Sequence, residues 1–402
     1  MTFGGLVVAA TLLGLAAASA AHPVVSGQPG TWLSLHLALA AAAGTAIASV
    51  MPFFTAALAK VAPARLAPRV AAIALVAGGA LTVAGGVAGG VAPVAVAGGS
   101  AYLVGLILTA ANAFLPLRAS LGFGLRGVLL AYGAALGCVM AGVGLATAML
   151  AGWPPVVEDW AALKPAHAWL NVFGFLSLVI AATLIHLAPT VAGARIRPRR
   201  SGSLALVGLA SGAPIVALGF ASGSDGVARV GALLELVGAA ALVAHGIGVQ
   251  RDRGRWTGDA GWHRLSGLSL LFAPIWFLVA VVVATGPLLR SGATPSAWSL
   301  TFVAAPLAVG WIAQALVGSW THLVPAIGPG DPVVHARQRR RLGWGSLPRW
   351  TMWNGGLVLV VTGGVLGNAA LGGLGAAAIS GSLVLALGLL VASVVVDPRA
   401  SR

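Results

Sequence analysis

Residues 167–197 read HAWLNVFGFLSLVIAATLIHLAPTVAGARIR, an apolar run with a histidine near each end that stops at a proline and a group of arginines. His167 and His186 are nineteen positions apart, and nineteen residues of α-helix rise about 28 Å. That rise is close to the thickness of the hydrocarbon core of a bilayer. The stretch therefore predicts a membrane-spanning helix with an imidazole near each face.

The composition extends this prediction to the whole chain. Of the 402 residues, 59% are hydrophobic and only 8% are charged, whereas soluble domains carry roughly 25% charged residues. A fold in water could not bury so much apolar side chain, so the bilayer must act as the solvent. We expect an all-α polytopic membrane protein, with residues 1–402 as a single integral membrane domain. The 57 glycines suit the close approach of helices in lipid.

Length and apolarity predict about twelve transmembrane helices. Their expected ranges are 2–21, 31–59, 70–90, 92–117, 127–150, 166–190, 203–221, 229–249, 266–288, 297–327, 351–371 and 373–396. Residues 1–21 also resemble a signal peptide with a small-residue cleavage site. No Lys or Arg precedes Lys60, however, and a signal peptide needs a positive n-region, so we expect an uncleaved first helix. If this helix is cleaved, eleven remain.

The basic residues orient these helices. With the N-terminus in the cytoplasm, the inner loops and tail hold all of the 23 Lys and Arg except Lys164, Arg229 and Arg290, as the positive-inside rule requires. We therefore expect a protein of the cell membrane with both termini cytoplasmic. The net charge of +15 indicates contact with anionic lipid headgroups, and nucleic acid is not an expected partner. The single cysteine, Cys138, excludes an internal disulfide and a CxxC motif.

Three of the predicted helices share a proline near the inner end. Helix 2 ends in SVMPFF with Pro52, helix 6 in HLAPT with Pro189, and helix 10 in HLVPA with Pro325. The interval of four helices predicts a pseudo-threefold arrangement of four-helix repeats over 1–117, 127–249 and 266–396. The alternative is that proline commonly closes membrane helices.

Two histidines fall in the outer half of the membrane. His36 lies about 8 Å into the second helix, and His167 opens the sixth. A histidine within a span is costly unless it faces protein, a cofactor or water, and imidazole is a good axial ligand of haem iron. We predict that His36 and His167 bind a cofactor, with haem b as the candidate. Alternatively, a histidine at a helix end bonds a lipid phosphate or a backbone carbonyl.

Three further histidines, His186, His245 and His322, lie near inner helix ends. They could converge on a metal ion such as copper or on a second haem. They could equally be helix-terminal groups near the negative end of the helix dipole. The sequence places His22, His263 and His335 in loops.

Glu235, in LLELVG, is the acid expected inside a span, about a quarter of the way into helix 8. This position makes it a candidate for a proton or ion relay. The alternative is a protonated carboxyl that hydrogen-bonds a neighbouring helix.

Tryptophans near the outer boundary predict an aromatic belt at the membrane surface rather than a binding stripe. They are Trp32, Trp153, Trp160, Trp169 and Trp298, with Trp256, Trp262, Trp344 and Trp350 near the inner boundary.

Two stretches carry a resemblance to a known family. Residues 167–196, HAWLNVFGFLSLVIAATLIHLAPTVAGARI, and residues 32–58, WLSLHLALAAAAGTAIASVMPFFTAAL, resemble the membrane-embedded N-terminal module of actinobacterial nitrite-reductase-type multicopper oxidases. The likeness covers about residues 30–290. Those relatives carry a copper domain that these 402 residues do not contain, so the resemblance implies a shared membrane module and not copper oxidase activity.

The chain resembles subunit I of the haem–copper oxidases more distantly, through twelve helices, cytoplasmic termini and a pseudo-threefold arrangement. In that family a histidine on helix 2 binds the low-spin haem and helix 6 supplies a copper ligand, which correspond to His36 and His167. The family also needs histidines on helix 7 and at the outer end of helix 10. Residues 203–221 and 297–310 contain none, so the oxygen-reducing centre cannot form.

The sequence thus favours an oxidase-like bundle that binds b-type haem or a metal, and that is not an enzyme by itself. Its role would be electron transfer, sensing, or nitrogen-oxide or copper-related metabolism, with a redox protein or copper enzyme as its partner. One alternative is a transporter of a small solute or metal ion that uses Glu235 and the inner histidines. Another is a scaffold for a separate copper enzyme.

Overall fold

The structure, a computed structural model, describes residues 2–26, 31–120, 126–255, 258–328 and 330–395. These residues form helices and connecting segments without a β-strand, which confirms the all-α prediction. The main helices are α1 (Thr2–Ser26), α2 (Trp32–Ala59), α3 (Leu66–Ala88), α4 (Ala92–Phe114), α5 (Arg126–Leu150), α6 (Trp160–Ala192), α7 (Arg200–Ser222), α8 (Asp225–Arg253), α9 (Gly261–Ser291), α10 (Ala305–Ile327), α11 (Pro332–Gly343), α12 (Ser346–Leu366) and α13 (Ala369–Val395).

Ten of the described helices, α2 to α10 and α13, are long and apolar enough to cross a membrane. They indicate a multi-pass membrane protein. Helix α1 has a shorter apolar stretch, Gly4–Ser19. Each of the twelve predicted spans coincides with a helix, but the prediction of twelve crossings is supported only for these ten.

The chain between α10 and α12 differs from the sequence prediction. Residues read as a basic loop form α11, which begins at the N-cap Asp331, whose carboxylate accepts a hydrogen bond from the Val334 nitrogen (2.8 Å). His335 therefore lies in a helix and not in a loop, and His263 likewise lies in α9. His22 is also in a helix, α1, but its side chain and residues 396–402 are outside the described part of the chain.

The described chain divides into two compact units. The first contains residues 1–183, 206–235 and 287–298, and the second contains residues 184–205, 236–286 and 299–402. The candidate residues His36, His167 and Glu235 belong to the first unit. His186, His245 and His322 belong to the second unit.

Glycines bring neighbouring helices into backbone contact, as the composition predicts. In the first unit, a Cβ added to Gly79 of α3 would lie 2.7 Å from the backbone nitrogen of Tyr102 in α4, and one at Gly98 would lie 2.6 Å from the Val83 nitrogen. In the second unit, a Cβ at Gly356 of α12 would lie 2.8 Å from the Gly375 carbonyl oxygen of α13. Only a residue without a side chain allows such approach.

Helices α2, α6 and α10 each contain a π-helical segment. These are Leu37–Ala43, Trp169–Ser177 and Ala305–Ala313. The α-helical part that follows each segment contains the proline singled out in the sequence. π-Helical segments are rare in proteins, and those that occur are often at functional sites. Their recurrence makes α2, α6 and α10 candidates for carrying the functional site.

The predicted aromatic belt is wrong for two of its tryptophans, which are buried. Trp32 and Trp153 are exposed, but Trp169 is fully buried and Trp298 is nearly so. Within the first unit, the Trp169 ring stacks on Phe173 at 4.2 Å between centroids and lies 5.7 Å from Trp298. These two tryptophans therefore belong to an internal aromatic cluster.

Candidate functional site

The first unit brings His36 of α2 close to His167 of α6. Each histidine stands one or two positions before the π-helical segment of its helix, Leu37–Ala43 for His36 and Trp169–Ser177 for His167. The charge of one imidazole would be felt at the other. The two side chains that the sequence predicted to share one layer of the membrane therefore belong to the same unit.

One ring nitrogen of His167 is held by the backbone of α5. Its Nδ1 lies 2.7 Å from the Gly142 carbonyl oxygen. Because a carbonyl only accepts, this contact requires a proton on Nδ1 and leaves the lone pair of a neutral imidazole on Nε2. The amide nitrogen of Asn171, 3.1 Å from the same Nδ1, cannot donate to the ring in this tautomer. The amide of Asn171 donates to the His167 carbonyl oxygen (2.7 Å). A backbone carbonyl on one nitrogen is the usual second-shell partner of a metal-binding histidine.

His36 is held differently. It is half-buried, and its ring stacks on Trp32 with 4.8 Å between centroids and an interplanar angle of 22°. Its Nε2 is inaccessible to water and has no hydrogen-bond partner within the described residues. A buried ring nitrogen in this state costs free energy unless it binds a proton donor or a metal. His36 therefore offers a second nitrogen for coordination.

Glu235 is fully buried in α8, also in the first unit. It packs against Gly212 of α7, where a Cβ would lie 2.7 Å from the Glu235 Cγ, and it interacts electrostatically with Cys138. The Ala213 backbone is beside the carboxyl group, yet neither oxygen makes a hydrogen bond of normal geometry within the described chain. A buried acid of this kind in a membrane helix is a functional candidate.

In the second unit, the inner histidines have different surroundings. His186 and His245 are both buried, and His245 lies beside Arg199 and the Ile185 backbone. His322 lies near His263, with 6.2 Å between ring centroids, and stacks on Trp262.

Among the described residues, no three His, Cys, Asp or Glu side chains are grouped as ligands of a metal ion. The metal site predicted from the inner histidines is therefore not part of the function proposed below.

The sequence missed the network around His263 because it assigned that residue to a loop. The His263 Nδ1 lies 3.3 Å from the Asp259 carboxylate, which also pairs with Arg253. The other ring nitrogen contacts the Val191 carbonyl oxygen. The Arg339 guanidinium lies over the Trp262 ring, 5.5 Å from its centroid. This network joins α6, α9 and α11 within the second unit.

No protein-family model matches the chain, and no curated protein matches it with significant similarity. The functional argument therefore depends on the residues and their geometry.

Proposed function

We propose that the protein is a membrane-embedded electron-transfer protein that holds a redox-active metal centre, in the first instance b-type haem, between His36 and His167. The observation that carries this proposal is the state of the two imidazoles, which lie in the same unit. His167 has its coordinating tautomer set by Gly142, and His36 has a buried Nε2 without a partner among the described residues. A bound haem would supply one-electron redox chemistry, and imidazoles are common axial ligands of its iron.

The three π-helical segments support an oxidase-like bundle for this centre. They occur in α2, α6 and α10, at the four-helix interval that the prolines predict. A pseudo-threefold arrangement of twelve helices with cytoplasmic termini accounts for this interval. Because α7 carries no histidine, the bundle lacks the ligand set for oxygen reduction. A separate redox protein or copper enzyme would supply or accept the electron.

The test is the absorbance of the purified full chain after haem supplementation. We expect a Soret band and reduced α/β bands of bis-histidine haem, with the bands lost in His36→Ala and His167→Ala. The matched control is His335→Ala, which removes a partly exposed histidine of α11 and should leave the spectrum unchanged. Metal analysis of the same samples distinguishes copper from haem. The proposal is wrong if the folded protein binds neither, or if His36→Ala leaves the spectrum unaltered.

Glu235 favours a second candidate function, the coupled transport of a small solute or metal ion. A buried carboxyl without a hydrogen bond of normal geometry among the described residues could bind and release a proton during transport. Uptake into proteoliposomes that is lost in Glu235→Gln, with haem binding absent, would favour this function. Uptake that is equal in wild type and Glu235→Gln would exclude Glu235 as the coupling residue.

A further inference from the structure

Helix α11 lies across one end of the second unit. The side-chain amide of Gln338 donates to the Ser393 carbonyl oxygen near the end of α13 (2.9 Å). The Arg339 guanidinium donates to the Pro325 carbonyl oxygen near the end of α10 (3.5 Å) and lies over the Trp262 ring at the start of α9. The twelve residues of α11 rise about 18 Å, which is too short to cross a bilayer. Helix α11 therefore covers the ends of three spans and is not a span itself.

One face of α11 packs onto the unit. Val334, Gln338 and Leu342 follow one another at intervals of four residues, and all three are fully buried. This spacing places them along one side of the helix. The buried side holds α11 against the ends of the spans and leaves its other sides open to the surroundings of the protein.

A second face of α11 carries arginines between two apolar side chains. Arg337, Arg340 and Arg341 stand at positions i, i+3 and i+4, within about 100° of arc. Arg340 is exposed, and the other two are partly exposed. Val333 lies one turn before these arginines and Trp344 follows the last turn, and the two are 64% and 63% exposed. These five residues form an exposed amphipathic surface, the arginine stripe.

The acidic groups of the described second unit are engaged away from the stripe. Helix α11 itself contains no acidic residue. The carboxylate of its N-cap, Asp331, accepts from the Val334 nitrogen. Asp252 and Asp259 pair with arginines of other segments. The stripe therefore presents a positive surface.

We propose that the arginine stripe binds the headgroups of anionic phospholipids on the side of the membrane where α11 lies. Guanidinium groups form charge-assisted hydrogen bonds with phosphate, and anionic lipids attract basic segments next to a span. Val333 and Trp344 would enter the boundary between headgroups and acyl chains, where interfacial helices bury apolar side chains and tryptophan is enriched.

A soluble acidic protein is the competing occupant of the stripe. The position of α11 favours lipid, because the helix contacts the ends of α9, α10 and α13, which are all long and apolar enough to cross a membrane. The net charge of the chain predicts contact with anionic lipid in general, and the stripe assigns that contact to one helix. The site is independent of the proposed haem centre.

The experiment measures lipid binding to the full chain in detergent by native mass spectrometry. The protein is titrated with dioctanoyl phosphatidylglycerol and, as the neutral reference, with dioctanoyl phosphatidylcholine. We expect wild type to bind phosphatidylglycerol more tightly. Each arginine near an anionic surface contributes roughly fivefold in affinity. The triple variant Arg337→Gln, Arg340→Gln and Arg341→Gln should therefore bind phosphatidylglycerol up to roughly a hundredfold more weakly, with phosphatidylcholine binding unchanged.

A matched triple variant removes the same charge outside α11. Arg195→Gln, Arg200→Gln and Arg255→Gln replace exposed arginines of the second unit and should leave phosphatidylglycerol binding close to that of wild type. Arg340→Gln alone changes an exposed side chain, so the protein should fold, and it should weaken binding roughly fivefold.

Three results would overturn the proposal. Equal binding of the two lipids by wild type would leave a soluble acidic partner as the occupant of the stripe. An equal loss of affinity in the two triple variants would show that overall charge, and not the stripe, attracts the lipid. Unchanged phosphatidylglycerol binding in folded Arg340→Gln would remove the exposed centre of the stripe from the site.

Discussion

The carbonyl oxygen of Gly142 in α5 accepts a hydrogen bond from His167 Nδ1 in α6 over 2.7 Å. This contact requires close packing, because a Cβ at Gly142 would collide with the side-chain amide of Asn171. The missing side chain therefore permits the close approach of the two helices that brings the Gly142 carbonyl oxygen to His167. It is a positioning residue for the proposed centre.

Replacing Gly142 with alanine should weaken cofactor binding while the protein still folds. Overpacking at this point should cost about 1–3 kcal/mol of stability. Alanine keeps the carbonyl oxygen but pushes it away from His167, and a lost second-shell contact lowers metal affinity roughly 10–100-fold. Haem titration followed at the Soret band measures the effect. Gly144→Ala is the matched control, since a Cβ at Gly144 meets nothing within 4 Å. Equal haem affinity in the two variants would show that Gly142 does not position His167.

The predicted orientation can be tested with single cysteines. In a Cys138→Ser background, we expect Lys164→Cys to react with a membrane-impermeant maleimide added to intact cells, and Arg195→Cys to react only after the cells are opened. Both positions are exposed, so reactivity reports the side of the membrane. The reverse pattern would place the termini outside and contradict the positive-inside assignment.

The contact between α3 and α4 predicts opposite effects at two adjacent glycines. Gly79→Ala should lower stability by about 1–3 kcal/mol, because its Cβ would collide with the backbone of α4. The Cβ added in Gly78→Ala has no neighbouring atom within 4 Å. This variant should be neutral or more stable by up to about 1 kcal/mol, since alanine favours helix. Denaturant titration of the two variants in detergent measures the difference. A destabilised Gly78→Ala with an unaffected Gly79→Ala would reverse the packing assignment.

The sequence predicted the helices well because apolar length is enough to identify a membrane span. The sequence prediction missed α11 because this helix is rich in charged residues. In α11, Asp331 followed by Pro332 is an N-cap followed by proline at the first helical position, a recognised start signal, but the arginines that follow were read as a loop.

Apolar length also does not show which side of a helix faces lipid and which faces protein. Trp169 was therefore assigned to the membrane surface, although it is fully buried.

The candidate site was predictable only in part. The position of His36 and His167 near the N-terminal ends of their helices follows from the sequence. Their proximity depends on how α2 and α6 pack, which residue spacing does not determine. Gly142 could not be distinguished among 57 glycines, since its role comes from a carbonyl group that every residue has.

The π-helical segment of α6 has a consequence for chain length. Its hydrogen bonds run from i to i+5, so it accommodates a residue that a regular α-helix would not. Deleting one residue between Trp169 and Ser177 would allow the helix to close with ordinary turns while the part that follows keeps its orientation. The same deletion at Leu178, in the regular α-helix, would rotate everything C-terminal to it by about 100°. Ala181 and Ala182, both now fully buried, would then turn away from their packing partners.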